Sequence, residues 1–268
     1  MRGWAAKKKI ENGNEGRTKM KVIQKPEAEA EKYLDELEQK VLSHWAETVE
    51  TAPFMEELVA GTLPMDSIKA FYCNWGAFVP VINSLYTTQF YNNLWFFVSN
   101  VDLMDTYTEK VLDEFGHPAP PGHIKILIST GEALGLNQDE ILIKPMLPEA
   151  RALTDFQRTL VNNGPIHEYW ASVLWESSFG HSCNKWFKAL TTHYGMSADQ
   201  ADYFHKHYEA DTMDHLGREA HSSVTKHVLA RLFERGIVER PGYPFEYCAL
   251  TPVNLYRQML DACYAASH

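Results

Sequence analysis

Acidic and histidine side chains near residue 210 have a spacing that suits metal binding. His207, Asp211 and Asp214 are separated by four and then three residues, and His215 follows directly. Each residue of an α-helix turns by about 100°, so the first three side chains share one stripe and His215 lies at its edge. An imidazole and two carboxylates that converge on one point suit a divalent metal such as iron or manganese. The alternative is a solvated polar face of a helix in an acidic protein.

Other potential ligands lie on predicted helices that are otherwise apolar. Glu176 follows the run Ala171 to Trp175, where a buried carboxylate would be costly unless a cation compensates it. Glu114 ends one predicted helix and His123 opens the next, so both could point into one bundle interior. The alternatives are a solvent-facing or hydrogen-bonded Glu176 and a surface His123. The combined set contains the ligand types of a dinuclear iron or manganese site in a helical bundle: Glu114, His123, Glu176, His207, Asp211 and Asp214.

A helix must carry the first group of these ligands. No Gly or Pro lies between Met196 and Leu216, and Ser197 with Gln200 three residues later forms a capping-box pattern. We therefore predict a helix over residues 196–216, which continues with a bend near Gly217 to residue 235.

The remaining elements are predicted to be helices too, because apolar residues recur at steps near 3.6. They cover about residues 33–45, 54–59, 66–86, 101–115, 123–135, 148–162, 166–193 and 252–266. The helix over 66–86 is apolar on most of its circumference and belongs at the centre of a bundle. No alternating pattern between hairpin turns indicates a strand. We predict one all-α domain over residues 25–268, preceded by a disordered basic tail at residues 1–24.

Composition excludes several classes of function. The chain has 25 Lys and Arg against 35 Asp and Glu, a net charge of −10, and its one basic cluster lies in the tail. Nucleic acid is therefore not the expected partner. No apolar run reaches the roughly 20 residues that span a bilayer, so we expect no membrane insertion. The four cysteines are widely spaced without a CxxC pair, which favours reduced thiols in a cytoplasmic protein.

The order of these motifs resembles a known family. Asp113-Glu114-Phe115-Gly116, then His123, a lone Glu176 and Phe204-x-x-His207-x-x-x-Asp211 are similar to the motifs of the heme-oxygenase-like diiron oxidases. Those enzymes share their helical-bundle fold with the TenA thiaminase and PqqC families. The resemblance covers roughly residues 30–265, so we expect the same fold here.

The resemblance implies a function as well as a fold. Two Fe(II) ions, or manganese ions as the alternative, would be bound by Glu114, His123, Glu176 and three ligands from the helix over 196–216, with dioxygen as cosubstrate. Glu114, Glu176 and Asp211 would be the catalytic carboxylates. The substrate would be an amino acid or a related fatty or carboxylic acid in specialised metabolism. It would undergo N-oxygenation, desaturation or cleavage of a C–C or C–N bond. Homodimers are usual for the fold.

This sequence departs from the family pattern at two places. The third ligand of the last helix is usually a histidine seven residues after the first, whereas Asp214 stands there and His215 follows. We expect Asp214 to bind because it keeps the stripe, with His215 as the alternative. His117 lies three residues after Glu114 and is an alternative to His123, although a proline follows it directly.

Aromatic residues are the candidates for a substrate pocket. Trp75, Phe78, Tyr86 and Trp175 could form its walls, although packing in the core is the more usual role of such residues. Arg218 could bind a substrate carboxylate or form a surface salt bridge.

Two other functions remain open. The first is a metal-independent enzyme. It would be either a TenA-like thiamine-pyrimidine hydrolase with Cys183 as nucleophile or a cofactor-free oxidase like PqqC. Neither activity explains the polar stripe of His207, Asp211 and Asp214. A non-catalytic metal-binding protein would be favoured by the change of the usual third-ligand histidine to Asp214.

Overall fold

The computed structural model describes residues 21–116, 122–213 and 220–266. Within these ranges the chain forms thirteen helices and two short strands. They are β1 (Val22–Ile23), α1 (Glu27–Thr48), α2 (Pro53–Ala60), α3 (Met65–Asn92), α4 (Leu94–Val98), α5 (Val101–Phe115), α6 (His123–Ala133), α7 (Gln138–Leu142), α8 (Pro148–Asn163), α9 (Ile166–Ala171), α10 (Glu176–His193), α11 (Asp202–Thr212), α12 (His221–Arg235), β2 (Ile237–Val238) and α13 (Phe245–Ala265). The predicted all-α class is confirmed. No helix in the described ranges is both long and apolar enough to cross a bilayer.

Helix α3 lies at the centre of the bundle, as its apolar circumference predicts. It packs against α5, α6, α7, α8 and α13. Its aromatic residues interlock with those of other helices: Phe71 stacks on Trp186 at 4.6 Å between ring centroids, and Trp75 contacts Phe179 at 4.8 Å. Such pairs add stabilisation beyond the burial of their area. The core therefore fixes α3 and α10 relative to each other, and both helices contribute to the site described below.

The predicted helix over residues 166–193 is wrong at its middle. Helix α9 ends at Ala171, and a tight turn separates it from α10, which begins at Glu176. In this turn the amide of Leu174 donates to Ala171 and that of Glu176 to Val173, so the hydrogen bonds span three residues instead of four. The turn is buried, and because it contains no Gly or Pro the break could not be predicted from its residues. It places Glu176 at the first position of α10.

The predicted helix over residues 196–216 is shorter than expected. Ser197 and Gln200 do form reciprocal side-chain-to-backbone hydrogen bonds, but they cap a turn that precedes α11. Helix α11 ends at Thr212, and Met213 is extended with φ −136° and ψ 136°. Helix α12 begins separately at residue 221, so the prediction of one bent helix to residue 235 is wrong.

Several predicted ligands fall beyond the described residues. Asp214 and His215 follow the end of α11, and His117 and Arg218 lie in the same undescribed stretches of 117–121 and 214–219. Helix α11 ends at Thr212, so the predicted stripe ends with Asp211 among the described residues.

The boundary of the N-terminal tail also differs from the prediction. Val22 and Ile23 form β1 and pair in antiparallel fashion with Val238 and Ile237 of β2. Residues 1–20 lie outside the described ranges. The last part of the predicted disordered tail is therefore ordered by the segment that follows α12. The final helix, α13, begins at Phe245 instead of near residue 252, and Pro252 lies inside it.

Candidate metal centre

Three helices bring Glu114, His123 and His207 together. Glu114 lies near the end of α5 and His123 is the first residue of α6. The chain returns so closely between them that a Cβ on Gly122 would lie 2.6 Å from the backbone nitrogen of Gly116. Only glycine allows this close return. His207 comes from the middle of α11.

The three side chains form a compact cluster of ligand atoms. Nδ1 of His123 lies 3.1 Å from Oε1 of Glu114, and the rings of His123 and His207 have centroids 4.2 Å apart. One ligand atom from each residue lies within 4.8 Å of the other two, and all three residues are buried. Ligands that share one ion at about 2.0–2.2 Å lie within about 4.4 Å of each other, so small side-chain adjustments suffice for binding.

Electrostatics keep this cluster in the protonation states that bind metals. Burial alone would raise the pKa of Glu114, but the adjacent His123 and the other nearby histidines hold it well below its usual range. Burial, together with the neighbouring His123, lowers the pKa of His207 to about 3. At neutral pH the site therefore presents a carboxylate and a neutral imidazole, as metal ions require.

Hydrogen bonds orient two of these ligands. Nδ1 of His207 donates to the carbonyl oxygen of Tyr203 at 3.0 Å, since a carbonyl can only accept. This fixes the tautomer that leaves Nε2 without a proton. The amide of Asn83 on α3 donates to Oε2 of Glu114 at 2.7 Å, while Oε1 faces His123.

A second polar group lies on the adjoining side and centres on Glu176. The hydroxyl of Tyr86 donates to its Oε1 at 2.5 Å, and the ammonium of Lys110 donates to its Oε2 at 2.5 Å. The side chain of Lys110 is only 1% exposed. Sequence reasoning did not single out Lys110, although it lies one helical turn before Glu114 on the same face of α5.

Asp211 and His221 complete this second group. Oδ1 of Asp211 lies 3.2 Å from Nδ1 of His221, which is itself 3.9 Å from Oε1 of Glu114. Burial and the charge of Lys110 act to lower the pKa of His221, but the carboxylates of Asp113 and Asp211 outweigh them and raise it to about 9. Burial raises the pKa of Asp211, in part offset by His221.

His221 was missed by the sequence analysis. It is the first residue of α12, whose buried face continues at Val224, Thr225 and Val228. A histidine at the start of an apolar helical stripe was the available signal. The separation of α11 from α12 hid its proximity to Asp211.

Close packing of α10 and α11 sets the position of Asp211. A Cβ on Gly180 would lie 2.8 Å from Cβ of Asp211 and 2.7 Å from Cγ2 of Thr212. A larger residue at this position would therefore push the two helices apart.

The two polar groups border one small cavity of about 50 Å³. All four predicted pocket residues line it: Trp75, Phe78, Tyr86 and Trp175. Four predicted metal ligands line it as well: Glu114, Glu176, His207 and Asp211. The rest of the lining is Val79, Ile82, Asn83, Phe179 and Tyr203. This volume has room for about three or four water molecules. An organic substrate larger than that requires side chains around the cavity to move.

Comparison with known proteins identifies the family. A family model described as an iron-containing redox enzyme matches residues 83–237, more than half of the chain. This chain belongs to that family. The match spans every residue of both polar groups, and it confirms the resemblance drawn from the sequence motifs. No curated protein gives a significant match.

Solved structures show that this iron-containing redox enzyme family member has a heme-oxygenase-like fold. A domain of unknown function with that fold from Shewanella denitrificans OS217 has a TM-score of 0.65 and 15% identity, covering 87% of this chain and 93% of its own. A CADD-like protein of unknown function from Nostoc punctiforme PCC 73102 has a TM-score of 0.61 and 12% identity, covering 88% and 98%. A putative TenA-like thiaminase from Sulfolobus solfataricus P2 has a TM-score of 0.59 and 10% identity, covering 87% and 96%. At these identities the likeness shows the fold alone.

The donor set of this family member fits iron. Carboxylate and imidazole ligands suit divalent iron, and the buried Glu114, His123 and His207 offer both types within reach of one ion. Burial of Glu114 without a cation or donors would be costly, and the arrangement around it supplies both histidines and an amide.

Cys183 does not have the environment of a nucleophile. Its side chain is fully buried, and burial raises the pKa of its thiol well above the usual value. A nucleophilic cysteine needs an accessible thiolate, which a low pKa favours. Cys183, the candidate nucleophile of a TenA-like hydrolase, therefore has the environment of a core residue.

Proposed function

We propose that this protein is an iron-dependent oxidoreductase that uses dioxygen to oxidise a small organic substrate. The observation that carries the proposal is the buried cluster of Glu114, His123 and His207 within a chain of the iron-containing redox enzyme family. Ferrous iron bound there would supply the electrons that reduce dioxygen.

We further propose that the centre holds two metal ions. The first would bind to Glu114, His123 and His207. Glu176 and Asp211 border the same cavity, and carboxylates can bridge two ions or bind one. His221 and either Asp214 or His215 are the candidates for the remaining ligand positions of the second ion.

The residues around the ions have separate tasks in this proposal. Glu114 and Glu176 provide negative charge, and their hydrogen-bond donors Asn83 and Tyr86 fix their orientation. The aromatic walls, which include Trp75 and Phe78, exclude water from the reaction.

The proposed substrate is an amino acid or a related carboxylic acid. The cavity walls are mostly apolar, and the described lining contains no cationic side chain, so an apolar part of the substrate would face the ions. The proposed reactions remain N-oxygenation, desaturation or bond cleavage. Assembly as a homodimer is a further proposal.

Metal binding and oxygen consumption test this proposal. Anaerobic titration with Fe(II) is expected to load the wild-type protein and the His205→Ala variant equally, because His205 is 41% exposed on the opposite side of α11. His207→Ala, only two residues away, is expected to lose most of the binding. Exposure of the loaded wild type to dioxygen should oxidise the iron, faster when a matching amino acid or fatty acid is added. Equal binding by both variants, or no binding by the wild type, would contradict the proposal.

A metal-independent TenA-like hydrolase is the second candidate. The structural likeness to a putative TenA-like thiaminase favours it, although that likeness concerns the fold. Assays of thiamine-pyrimidine hydrolysis with the wild type and Cys183→Ala distinguish the two functions. Hydrolysis that needs Cys183 and proceeds with a chelator present would establish the hydrolase.

A further inference from the structure

Lys110 has a contact that the proposed iron chemistry does not explain. Its Nζ lies 2.5 Å from Oε2 of Glu176 and 4.9 Å from the centre of the Tyr86 ring. Among the described residues, it is the only lysine or arginine that is buried. An ammonium group away from water is costly unless a negative charge compensates it. Lys110 is therefore held in the interior by the carboxylates of the site.

Both oxygens of Glu176 already have donors. Tyr86 donates to Oε1 at 2.5 Å, and Thr225 lies 3.4 Å from Oε2, which is also the oxygen that Lys110 contacts. An ammonium ion and a divalent cation seek the same lone pairs of a carboxylate, and they repel each other in a medium of low dielectric constant. A metal ion that binds to Oε2 must therefore compete with Lys110.

No lysine or arginine of the described ranges competes for the first cluster. Among the described residues, Glu114 contacts Asn83, His123 and His221, and its contacts include no ammonium group. Lys110 has a flexible stem of four carbons, so its ammonium can withdraw from Glu176 without movement of α5.

We propose that Lys110 competes with the second metal ion for Glu176 and thereby makes the two metal sites unequal. This inference rests on the proposed two-ion centre. The first ion binds to Glu114, His123 and His207 independently of Lys110. The second ion binds to Oε2 only when it displaces the ammonium, so Lys110 lowers the affinity of that site.

Titration with Mn(II) tests the proposal, because this ion resists oxidation in air and its free form can be measured by electron paramagnetic resonance. The wild type is expected to show one tight and one weaker equivalent. Lys110→Met removes the charge at similar volume, so the second dissociation constant is expected to fall by about tenfold or more, since the desolvated rival charge is gone. The first constant should stay within about twofold of the wild-type value.

Lys110→Arg is the matched control because it retains the positive charge. Its second equivalent is expected to bind as weakly as that of the wild type or more weakly. Lys110→Gln serves as a second neutral variant that can still donate to Glu176, and it should also tighten the second site. Circular dichroism and thermal unfolding with and without Mn(II) verify that each variant is folded, and the neutral variants should gain more stability from Mn(II) than the wild type does.

An unchanged second constant in both neutral variants would overturn the role of Lys110 while leaving the first site intact. Two equally tight equivalents in the wild type would overturn it as well. Absence of any Mn(II) and Fe(II) binding in the wild type would instead refute the proposed function.

Discussion

Specific hydrogen bonds orient two of the buried candidate ligands, Glu114 and His207. Glu114 uses one carboxylate oxygen for His123 and the other for Asn83, so its plane is fixed from two sides. His207 is fixed by the carbonyl of Tyr203. Such outer contacts hold ligands in the geometry that a metal ion needs before the ion binds.

The contact of Asn83 leads to a prediction for a single residue. Asn83→Ala removes the donor to Oε2 of Glu114 and frees the carboxylate to rotate. We expect metal affinity to fall by about 10- to 100-fold, as for other outer-shell partners of metal ligands. Isothermal titration with Mn(II) measures the change.

Ser84→Ala is the control for this prediction. Ser84 is exposed beside Asn83, and its hydroxyl donates to the backbone oxygen of Val81. An equal affinity in the two variants would show that Asn83 does not position Glu114.

At the scale of elements, the close approach of α10 and α11 aligns the two polar groups. Gly180 leaves room for Asp211 and Thr212, and His207 lies one turn earlier on the same face of α11. The positions of Glu176 on α10 and of His207 and Asp211 on α11 therefore depend on the short distance between the two helix backbones at Gly180.

Gly180→Ala is expected to destabilise the protein, although a change from glycine to alanine within a helix usually stabilises it. Within a helix, alanine is favoured over glycine by about 1 kcal/mol. Here the new Cβ would overlap α11, so we expect a net loss of about 1–3 kcal/mol in the free energy of unfolding together with weaker metal binding. Urea denaturation and Mn(II) titration measure both effects.

Lys188→Ala on the exposed face of α10 provides the comparison. It should change the free energy of unfolding by less than about 0.5 kcal/mol and leave metal binding unaltered. A stabilised Gly180→Ala variant would contradict the predicted overlap.

At the scale of the whole molecule, the segment after α12 is tied to the core by an ion pair. Arg240 donates to both oxygens of Glu168 on α9, at 3.1 and 2.7 Å, and Glu168 is completely buried. Its guanidinium also lies 3.9 Å from the centre of the Tyr243 ring. This pair joins the loop between α12 and α13 to the helix that leads into the turn before Glu176.

Removal of Arg240 is expected to destabilise the fold. Arg240→Ala leaves the carboxylate of Glu168 buried without its partner, which costs about 3 kcal/mol in comparable cases. Thermal unfolding or urea denaturation measures the loss.

An exposed pair gives the matched control. Arg231 contacts Asp102 at 3.1 Å, but both side chains are solvent-exposed, at 38% and 61%. Arg231→Ala should therefore cost less than about 1 kcal/mol. Similar losses in both variants would refute a special role for Arg240.

The sequence alone determined the fold class, the family resemblance and much of the candidate site. Periodicity and chain breakers located α5 and α8 almost to the residue, because each is amphipathic and bounded by Gly or Pro. The sequence also selected His207 through its spacing to Asp211, and Glu114 and His123 because they end one predicted helix and open the next. The structure brings these three together.

Only the tertiary structure decided how the second polar group is arranged. Helix α11 ends at Thr212, so the predicted stripe ends with Asp211 among the described residues, whereas His221 approaches Asp211 from the next helix. Lys110 reaches Glu176 across 66 residues. Local patterns record which face of a helix is buried, but they do not record which other helix covers that face, and the pairing of buried charges depends on this packing.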